Sequence, residues 1–153
     1  MNHLPDMPHQ HTLTPHRLAE LLTWYEGLSP ASLAHLDQYY APQARFCDPF
    51  NDVRGIASIR AIFDHMFESI ETPRFAIQAS AISGSEAFVA WRLTGKVRRH
   101  PFDVAGCSQL SFDGDGLVAS HLDFWDAATL WRQLPWIRFP AKWLSKRFSA
   151  PMR

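Results

Sequence analysis

The acid in this sequence most suited to proton transfer is Asp48, which ends an apolar segment and lies between the aromatic residues Phe46 and Phe50. A carboxylate held in apolar surroundings loses hydration and becomes a stronger base. Asp48 also precedes Pro49, so it could instead cap a turn or accept hydrogen bonds from backbone N–H groups of the following loop. Asp48 is thus a candidate general base, with Phe46 and Phe50 as candidate walls of its pocket.

A second cluster of side chains suited to acid–base chemistry lies near residue 120. His121, Asp123 and Trp125 alternate with Leu122 and Phe124, and in a strand such alternation places the first three side chains on one face. A histidine and an aspartate on one face can share a proton. The alternative is a structural histidine beside a surface aspartate. If that face borders a cavity, the pair is a candidate acid–base site with Trp125 as its wall.

The sequence predicts neither a metal site nor a cofactor. Asp48, His121 and Asp123 could converge, but no HxxxH, HxH or HxxE pair involves them. Cys47 and Cys107 lack the spacing of a metal site or of a disulfide framework, which makes buried free thiols the favoured interpretation. We therefore expect chemistry that needs no cofactor.

Composition limits the class of protein. The 153 residues suffice for one well-buried core, and 46% hydrophobic with 20% charged residues is typical of a globular chain. A net charge of zero argues against a general nucleic-acid partner. No apolar run reaches the ~18 residues of a membrane span, and the polar N-terminus lacks the apolar core of a signal peptide. A cytoplasmic location is the expectation.

The spacing of hydrophobic residues and the positions of proline, glycine and capping residues predict the helices and strands that position these side chains. Thr14 and Pro15 begin a helix that Gly27 ends, because a capping hydroxyl followed by proline favours a first turn. A second short helix begins at Ser29-Pro30. The remaining predicted elements are a strand over 44–48, a helix over 56–70, strands over 74–82, 87–97, 102–112 and 117–126, and a short helix over 127–134.

Sequential strands with such short links must run antiparallel. Three helices that cover one face of a curved, mainly antiparallel sheet make a cone-shaped α+β roll. We therefore predict a flexible arm over 1–13, one α+β domain over 14–134, and a basic aromatic tail over 135–153.

This layout resembles the superfamily of ketosteroid isomerase, nuclear transport factor two and the SnoaL-like polyketide cyclases. The local match is the segment from Phe46 to Gly55, with its Asp-Pro pair, followed by Ile59, and the resemblance extends roughly over 18–134. In ketosteroid isomerases the aspartate before the proline is the general base, which implies that role for Asp48. Because this scaffold carries many unrelated activities, the resemblance supports the fold more than the reaction.

The resemblance also suggests the partners of the base. Tyr25, near the end of the first helix, is similar to the oxyanion-donating tyrosine of the isomerases, although a tyrosine there can also be a plain core residue. Ser108 stands where the isomerases have a protonated aspartate; a hydroxyl is a weaker donor, which argues against straightforward steroid isomerisation. In SnoaL-like cyclases polar residues of the last strand do acid–base work, which favours the pocket face for His121 and Asp123.

The basic tail has two possible roles. Five cations and no acid lie within 135–153, interleaved with aromatic residues. Such a segment could contact an anionic membrane surface peripherally. The alternative, which we favour on sequence grounds, is that it packs on its own domain or on a partner subunit.

Three functions stay open from the sequence. The first is a cofactor-free acid–base enzyme (isomerase, cyclase, dehydratase or hydrolase) acting on a small apolar molecule, with Asp48 as base. Its substrate would contact Phe46, Phe50, Trp91, Ser108 and Trp125, and its other catalytic groups would be Tyr25, His121 and Asp123. The second is a binding protein for a lipid-like ligand. The third is an interaction module, and the resemblance implies a homodimer formed through the sheet.

Overall fold

The computed structural model describes residues 12–136. Its helices are α1 (Pro15–Glu26), a 3-10 helix (Ser32–Gln38), α2 (Ile56–Ser69) and α3 (Ala127–Gln133). Its strands are β1 (Tyr40–Cys47), β2 (Asp52–Arg54), β3 (Glu71–Ser83), β4 (Glu86–Val97), β5 (His100–Phe112) and β6 (Val118–Trp125).

The strands form one mixed sheet in the order β2-β1-β6-β5-β4-β3. All neighbouring pairs are antiparallel except β1 and β6, which run parallel. Short links join β3 to β6 as a meander, whereas β1 reaches β6 only across the intervening chain. The predicted α+β roll, with a curved and mainly antiparallel sheet, is confirmed.

The helix that begins at Thr14 forms as the sequence predicts. The hydroxyl of Thr14 accepts a hydrogen bond from the backbone N–H of Arg17 at 3.2 Å, and Pro15 opens the helix. This cap satisfies one of the N–H groups that have no partner in a first helical turn. The apolar side of α1 then packs on the sheet through Leu18, Leu21 and the aromatic residues near its end.

Two local predictions differ from the structure. The second helix is a 3-10 helix, and β1 begins at Tyr40, earlier than the predicted strand. Pairing of β1 with β6 is interrupted after Tyr40 and resumes at Arg45, so Pro42 lies where a missing N–H breaks no ladder. The predicted loop contains the short strand β2, whose Asp52 accepts hydrogen bonds from the Arg45 guanidinium at 2.8 and 2.9 Å.

The core lies between the helices and the inner face of the sheet. Tyr40, Ile59, Leu110 and Val118 are fully buried there. Most of the predicted arm and tail lies outside the described residues, but Leu13 is buried and its N–H donates to the carbonyl of Gly84. Within residues 12–136 no helix is long and apolar enough to cross a membrane.

Candidate functional site

A buried chain of hydrogen bonds crosses the inner face of the sheet from α1 to β4. The hydroxyl of Tyr25 lies 2.6 Å from that of Tyr40, which lies 2.6 Å from Nδ1 of His121. On the other side of the imidazole, Nε2 lies 2.7 Å from Oδ1 of Asp123. The chain thus joins two phenols, an imidazole and a carboxylate. It confirms that His121 and Asp123 share the inner face.

The chain continues beyond the carboxylate into β5 and β4. The hydroxyl of Ser108 donates to Oδ1 of Asp123 at 2.5 Å and accepts from the indole N–H of Trp91 at 2.8 Å. Ser108 and His121 are both about 4% exposed, which makes them the buried polar residues of the described core. Three sequence-predicted site residues, Ser108, His121 and Asp123, therefore meet at one oxygen atom.

For a neutral imidazole beside an ionised carboxylate, the network has one consistent placement of its protons. Since Oδ1 of an ionised Asp123 can only accept, Nε2 of His121 carries a proton and donates to it. In a neutral imidazole Nδ1 then accepts from Tyr40, which in turn accepts from Tyr25. Every donor in the chain is then directed toward Asp123, and the tautomer of His121 is set by its partners.

The two phenols act as permanent donors in this chain. Burial raises the pKa of Tyr25 and Tyr40 well above the ordinary value for tyrosine, and the nearby negative charge of Asp123 raises both further. A phenol that keeps its proton over the whole working pH range cannot serve as a base. Tyr25 and Tyr40 therefore hold the imidazole in place.

The second oxygen of Asp123 is not used by this network. Oδ2 has no hydrogen-bond partner within residues 12–136, and the Asp123 side chain is 14% exposed. The same side chain lines two adjoining cavities next to Trp91 and Phe75, and it borders a third depression that Arg45 and Asp48 also line. One carboxylate oxygen is thus fixed by His121 and Ser108, while the other is available to a bound molecule.

The larger cavity is about 200 Å³ and lies between α2, α3 and the inner face of β3 to β5. A smaller recess of about 30 Å³ continues beneath it beside Tyr25, Ser108 and His121. An engineered cavity of ~150 Å³ in another protein accommodates benzene, and a few tens of Å³ accommodate a water molecule. The pair of cavities therefore has room for a small organic molecule and, below it, a solvent molecule.

The larger cavity is lined mainly by apolar side chains, together with two carboxylates. Its polar lining is limited to Asp48, Asn51 and Asp123, and the rest consists of aromatic and aliphatic side chains. No lysine or arginine of residues 12–136 lines it. An anionic ligand would meet two carboxylates without a compensating cation, so the cavity is suited to neutral molecules.

Asp48 lines this cavity, but its carboxylate is engaged by its own loop. Oδ1 accepts from the backbone N–H groups of Phe50 and Asn51 at 2.8 and 2.7 Å, and the Asn51 side-chain amide donates to both oxygens at 3.0 and 3.2 Å. Asp48 is half-buried, and within residues 12–136 it makes no side-chain hydrogen bond to the His121 chain, although it lines the same cavity as Asp123. The alternative of a loop-capping aspartate accounts for all of these contacts.

The aromatic residues near Asp48 divide into a wall and a rim. Phe46 is buried against the His121 ring, with centroids 4.8 Å apart. Phe50 is 57% exposed and contacts Trp125 edge-on at 5.3 Å and Trp131 at 6.4 Å. Since Phe50 both lines the cavity and is exposed, the cavity reaches the surface beside it.

The position of the Trp91 ring depends on a glycine of the neighbouring strand. Gly106 pairs with Trp91, and a Cβ atom at Gly106 would lie 2.3 Å from the indole ring. The missing side chain lets the ring lie flat over β5, where its N–H reaches Ser108. Trp91 is therefore a cavity wall and also a hydrogen-bond donor to the network.

Sequence reasoning missed Tyr40, which the sequence suggests is the end of a helix. The usable signal was the alternation along β1, where Tyr40, Ala44 and Phe46 are all buried. Extending that alternation back past Pro42 would have placed the Tyr40 phenol on the inner face. Within residues 12–136 no group of three His, Cys, Asp or Glu side chains is placed to hold a metal ion.

Comparisons with known proteins agree with this architecture. Residues 21–121 match the SnoaL-like domain family. No curated protein matches the sequence significantly.

Solved structures with the same fold are numerous. TsrD from Streptomyces laurentii is 24% identical with a TM-score of 0.69, covering 80% of this chain and 98% of its own. A protein assigned as a SnoaL-like polyketide cyclase from Jannaschia sp. CCS1 is 17% identical with a TM-score of 0.70, covering 87% and 96%. An M. tuberculosis LEH-like epoxide hydrolase is 12% identical with a TM-score of 0.64, covering 88% and 95%. Because the family match spans well over half of its length and the cone-shaped roll agrees with it, this chain belongs to the SnoaL-like domain family.

Proposed function

We propose that this protein is a cofactor-free acid–base enzyme that acts on a small, neutral, apolar carbonyl compound, with Asp123 as the group that takes and returns the proton. The proposal rests on the different hydrogen bonding of the two carboxylate oxygens of Asp123. Oδ1 is held by His121 and Ser108, and Oδ2 has no partner in the described part of the chain. A base so oriented is ready to react without rearrangement.

The reaction needs no external oxidant or reductant. Asp123 would remove a proton from the carbon next to the carbonyl, and the electron pair of that C–H bond would move to the carbonyl oxygen as an enolate. Return of the proton to another carbon of a conjugated enolate completes an isomerisation. Attack of the enolate carbon on a second carbonyl forms a C–C bond and an alkoxide, and transfer of the proton from Asp123 to that alkoxide completes a cyclisation. In both cases the enzyme recovers its carboxylate.

Asp123 replaces Asp48 as the proposed base because of what each carboxylate contacts. The Asp48 oxygens accept four hydrogen bonds from the loop, and using them for proton transfer would disturb that loop. Asp48 lies at the same cavity and would serve mainly to hold Asn51 and Phe50 at its rim.

A second candidate reaction is hydrolysis, for example of an epoxide. The recess of about 30 Å³ beside Asp123, Ser108 and Tyr25 is of the size of a water molecule. Asp123 would take a proton from water held there as the water oxygen attacks a carbon of the epoxide ring; the ring C–O bond breaks, and the resulting alkoxide receives the proton from Asp123. The epoxide hydrolase with this fold is a precedent for the scaffold alone.

The matched variants Asp123→Asn and Asp48→Asn test the assignment. With a panel of small ketones and epoxides, Asp123→Asn should lower kcat by at least about 100-fold, the usual scale for a general base, while ligand affinity is kept. Asp48→Asn should change KM more than kcat. A large decrease in kcat for Asp48→Asn, with an unchanged kcat for Asp123→Asn, would identify Asp48 as the base. A wild-type protein that retains a lipid-like ligand and turns nothing over would favour the non-catalytic binding protein.

We also propose that the protein forms a homodimer through the outer face of its sheet. Phe124 and Phe88 are 58% and 39% exposed there, on the face that also carries Leu122 and Cys107. Exposed apolar side chains grouped on one sheet face favour association. Sedimentation of the wild type against Phe124→Lys decides the matter, since a dimer should become a monomer and an unchanged mass would reject this face.

A further inference from the structure

The hairpin between β4 and β5 has an unusual turn. Val97 pairs with His100, so the turn consists of Arg98 and Arg99 alone, with φ of 48° and 66°. Two-residue hairpin turns with positive φ at both positions favour Asn-Gly, because most side chains are strained there. Two consecutive arginines in this place disfavour the turn locally, which points to a use for their side chains.

The tip of this hairpin carries unpaired positive charge. Residues 96–100 include Lys96, Arg98, Arg99 and His100 and no acid. The carboxylate of Glu71 accepts a hydrogen bond from the backbone N–H of Arg99 at 3.0 Å. In the described part of the chain neither arginine of the turn forms an ion pair. Five others do, namely Arg17, Arg45, Arg60, Arg92 and Arg132.

Trp136 lies against this tip and is 41% exposed. The guanidinium of Arg98 lies 5.2 Å from the centre of the Trp136 ring, and the His100 ring meets it edge-on at 5.3 Å. A partly exposed tryptophan beside basic side chains is typical of a surface that meets the interface between lipid headgroups and acyl chains.

The hairpin tip is connected to the rim of the cavity by α3. Leu130 of this helix lines the cavity, and Trp131 contacts the exposed Phe50. Gln133 exchanges hydrogen bonds of 2.8 Å with the backbone of Asp103 in β5, and Trp136 follows. Exposed aromatic side chains and unpaired cations therefore border the same end of the fold as the cavity opening.

We propose that this end of the molecule, formed by the Arg98–Arg99 turn, Trp136 and the Phe50 rim, docks on an anionic lipid surface. The surface, called here the mouth surface, supplies cations for phosphate headgroups and aromatic rings for the interface. In sequence, residues 137–153 contain five cations and no acid. Docking would orient the opening of the apolar cavity toward the membrane, where an apolar ligand is concentrated.

A lipid surface fits these features better than a nucleic acid does. The mouth surface combines its cations with an opening into an apolar cavity, for which a phosphate backbone has no counterpart. The rest of the chain offsets the basic residues, so the net charge is zero, whereas a nucleic-acid domain is usually basic throughout its binding face. The inference is independent of the reaction, because it concerns where the protein acts.

Vesicle binding by the full-length chain tests the proposal. The protein is sedimented with vesicles of phosphatidylcholine alone or mixed with phosphatidylglycerol. The key variant combines Arg98→Asn with Arg99→Gly, which removes two charges and gives the turn its preferred residues. It should fold at least as well as the wild type. Since each basic residue near an anionic surface contributes about 1 kcal/mol, its binding to anionic vesicles should weaken about 30-fold.

Matched controls separate charge at the tip from charge elsewhere. Arg60→Asn removes a cation that is paired with Asp64 on α2 and should leave vesicle binding unchanged. Trp136→Ala should weaken binding to anionic vesicles even where Arg98 and Arg99 are kept. Because the readout is binding and not turnover, an inactive enzyme would not affect the result.

Several outcomes would overturn the proposal. Equal binding by the wild type and the Asn-Gly variant would show that the tip takes no part. Equal binding to neutral and anionic vesicles would remove the role of charge. Binding of a fluorescent oligonucleotide at a salt concentration where vesicles are not bound would assign the basic surface to nucleic acid instead.

Discussion

Tyr40 and His121, 81 residues apart in sequence, are joined by a 2.6 Å hydrogen bond between the phenol oxygen and Nδ1. The bond is buried, and together with the contact between Nε2 and Asp123 it fixes the orientation of the imidazole. It makes Tyr40 a positioning residue for the carboxylate at the other side of the ring. Removal of a single hydroxyl should therefore affect both stability and the site.

Tyr40→Phe should lower the free energy of unfolding by about 1–3 kcal/mol, because it removes the 2.6 Å hydrogen bond to Nδ1 of His121 and leaves that buried atom only the 3.4 Å contact with the Tyr25 hydroxyl. Urea denaturation measures the effect. Tyr39→Phe is the matched control, since within residues 12–136 the Tyr39 hydroxyl makes no hydrogen bond, and its stability should stay near that of the wild type. Equal stability of both variants would mean that the Tyr40 hydrogen bond contributes nothing.

Stability should fall at alkaline pH because of the two buried phenols. Burial raises the pKa of Tyr25 and Tyr40 in the folded protein, whereas phenols in the unfolded chain lose their protons near pH ~10. Their contribution is complete below that pH and is lost as the pH rises further, with a slope of about 1.4 kcal/mol per pH unit for each phenol. Denaturation at several alkaline pH values should show a shallower decline in the Tyr25→Phe/Tyr40→Phe double variant. An identical slope would contradict this account.

Gly106→Ala should displace the indole of Trp91 from its place above β5. The added methyl group would lie 2.3–2.8 Å from three ring atoms, and such overpacking costs about 1–3 kcal/mol. The indole N–H should leave Ser108, which a shift in tryptophan fluorescence would report. Gly27→Ala meets only ordinary contacts at 3.4 Å and beyond and serves as the control. A fully stable Gly106→Ala protein with unchanged fluorescence would be incompatible with this packing.

The cavity should discriminate by charge. A small aromatic ketone should bind at least about ten-fold more tightly than a carboxylate of the same shape, because the Asp48 and Asp123 side chains line the cavity with no arginine or lysine among the described residues. Calorimetric titration measures both affinities. In an Asp48→Asn/Asp123→Asn double variant the preference should shrink. Tighter binding of the carboxylate by the wild type would indicate a cation that this account omits.

Much of the fold was accessible from the sequence because its signals are local. Each of three signals predicts the conformation of only a few neighbouring residues: the capping pair Thr14-Pro15, the alternation of apolar and polar residues in β4 to β6, and the Asp-Gly turn after β5. The antiparallel meander follows directly from its short links. The parallel pairing of β1 with β6 follows from none of these, since it joins segments far apart in the chain. The sequence analysis therefore did not predict this pairing.

The candidate site was only partly predictable for the same reason. Alternation along β6 placed His121 and Asp123 on one face, and the structure brings both together with Ser108. What the sequence could not give was the partner of each oxygen. The local pattern around Asp48 fits a buried base and a loop cap equally well, and only the positions of the Phe50 and Asn51 N–H groups distinguish them. Tyr40 was hidden by Pro42, which breaks the alternation that would have revealed it.

The parallel contact between β1 and β6 also has a consequence for how the protein is made. The imidazole lies on β6 and one of its phenol partners on β1, so a nascent chain has no site until the ribosome has released nearly the whole domain. Contacts between such distant segments form slowly compared with those of a hairpin. A fragment that ends before Val118 would keep the β3–β5 meander and lack both His121 and Asp123 altogether. Premature termination should therefore leave no partially active product.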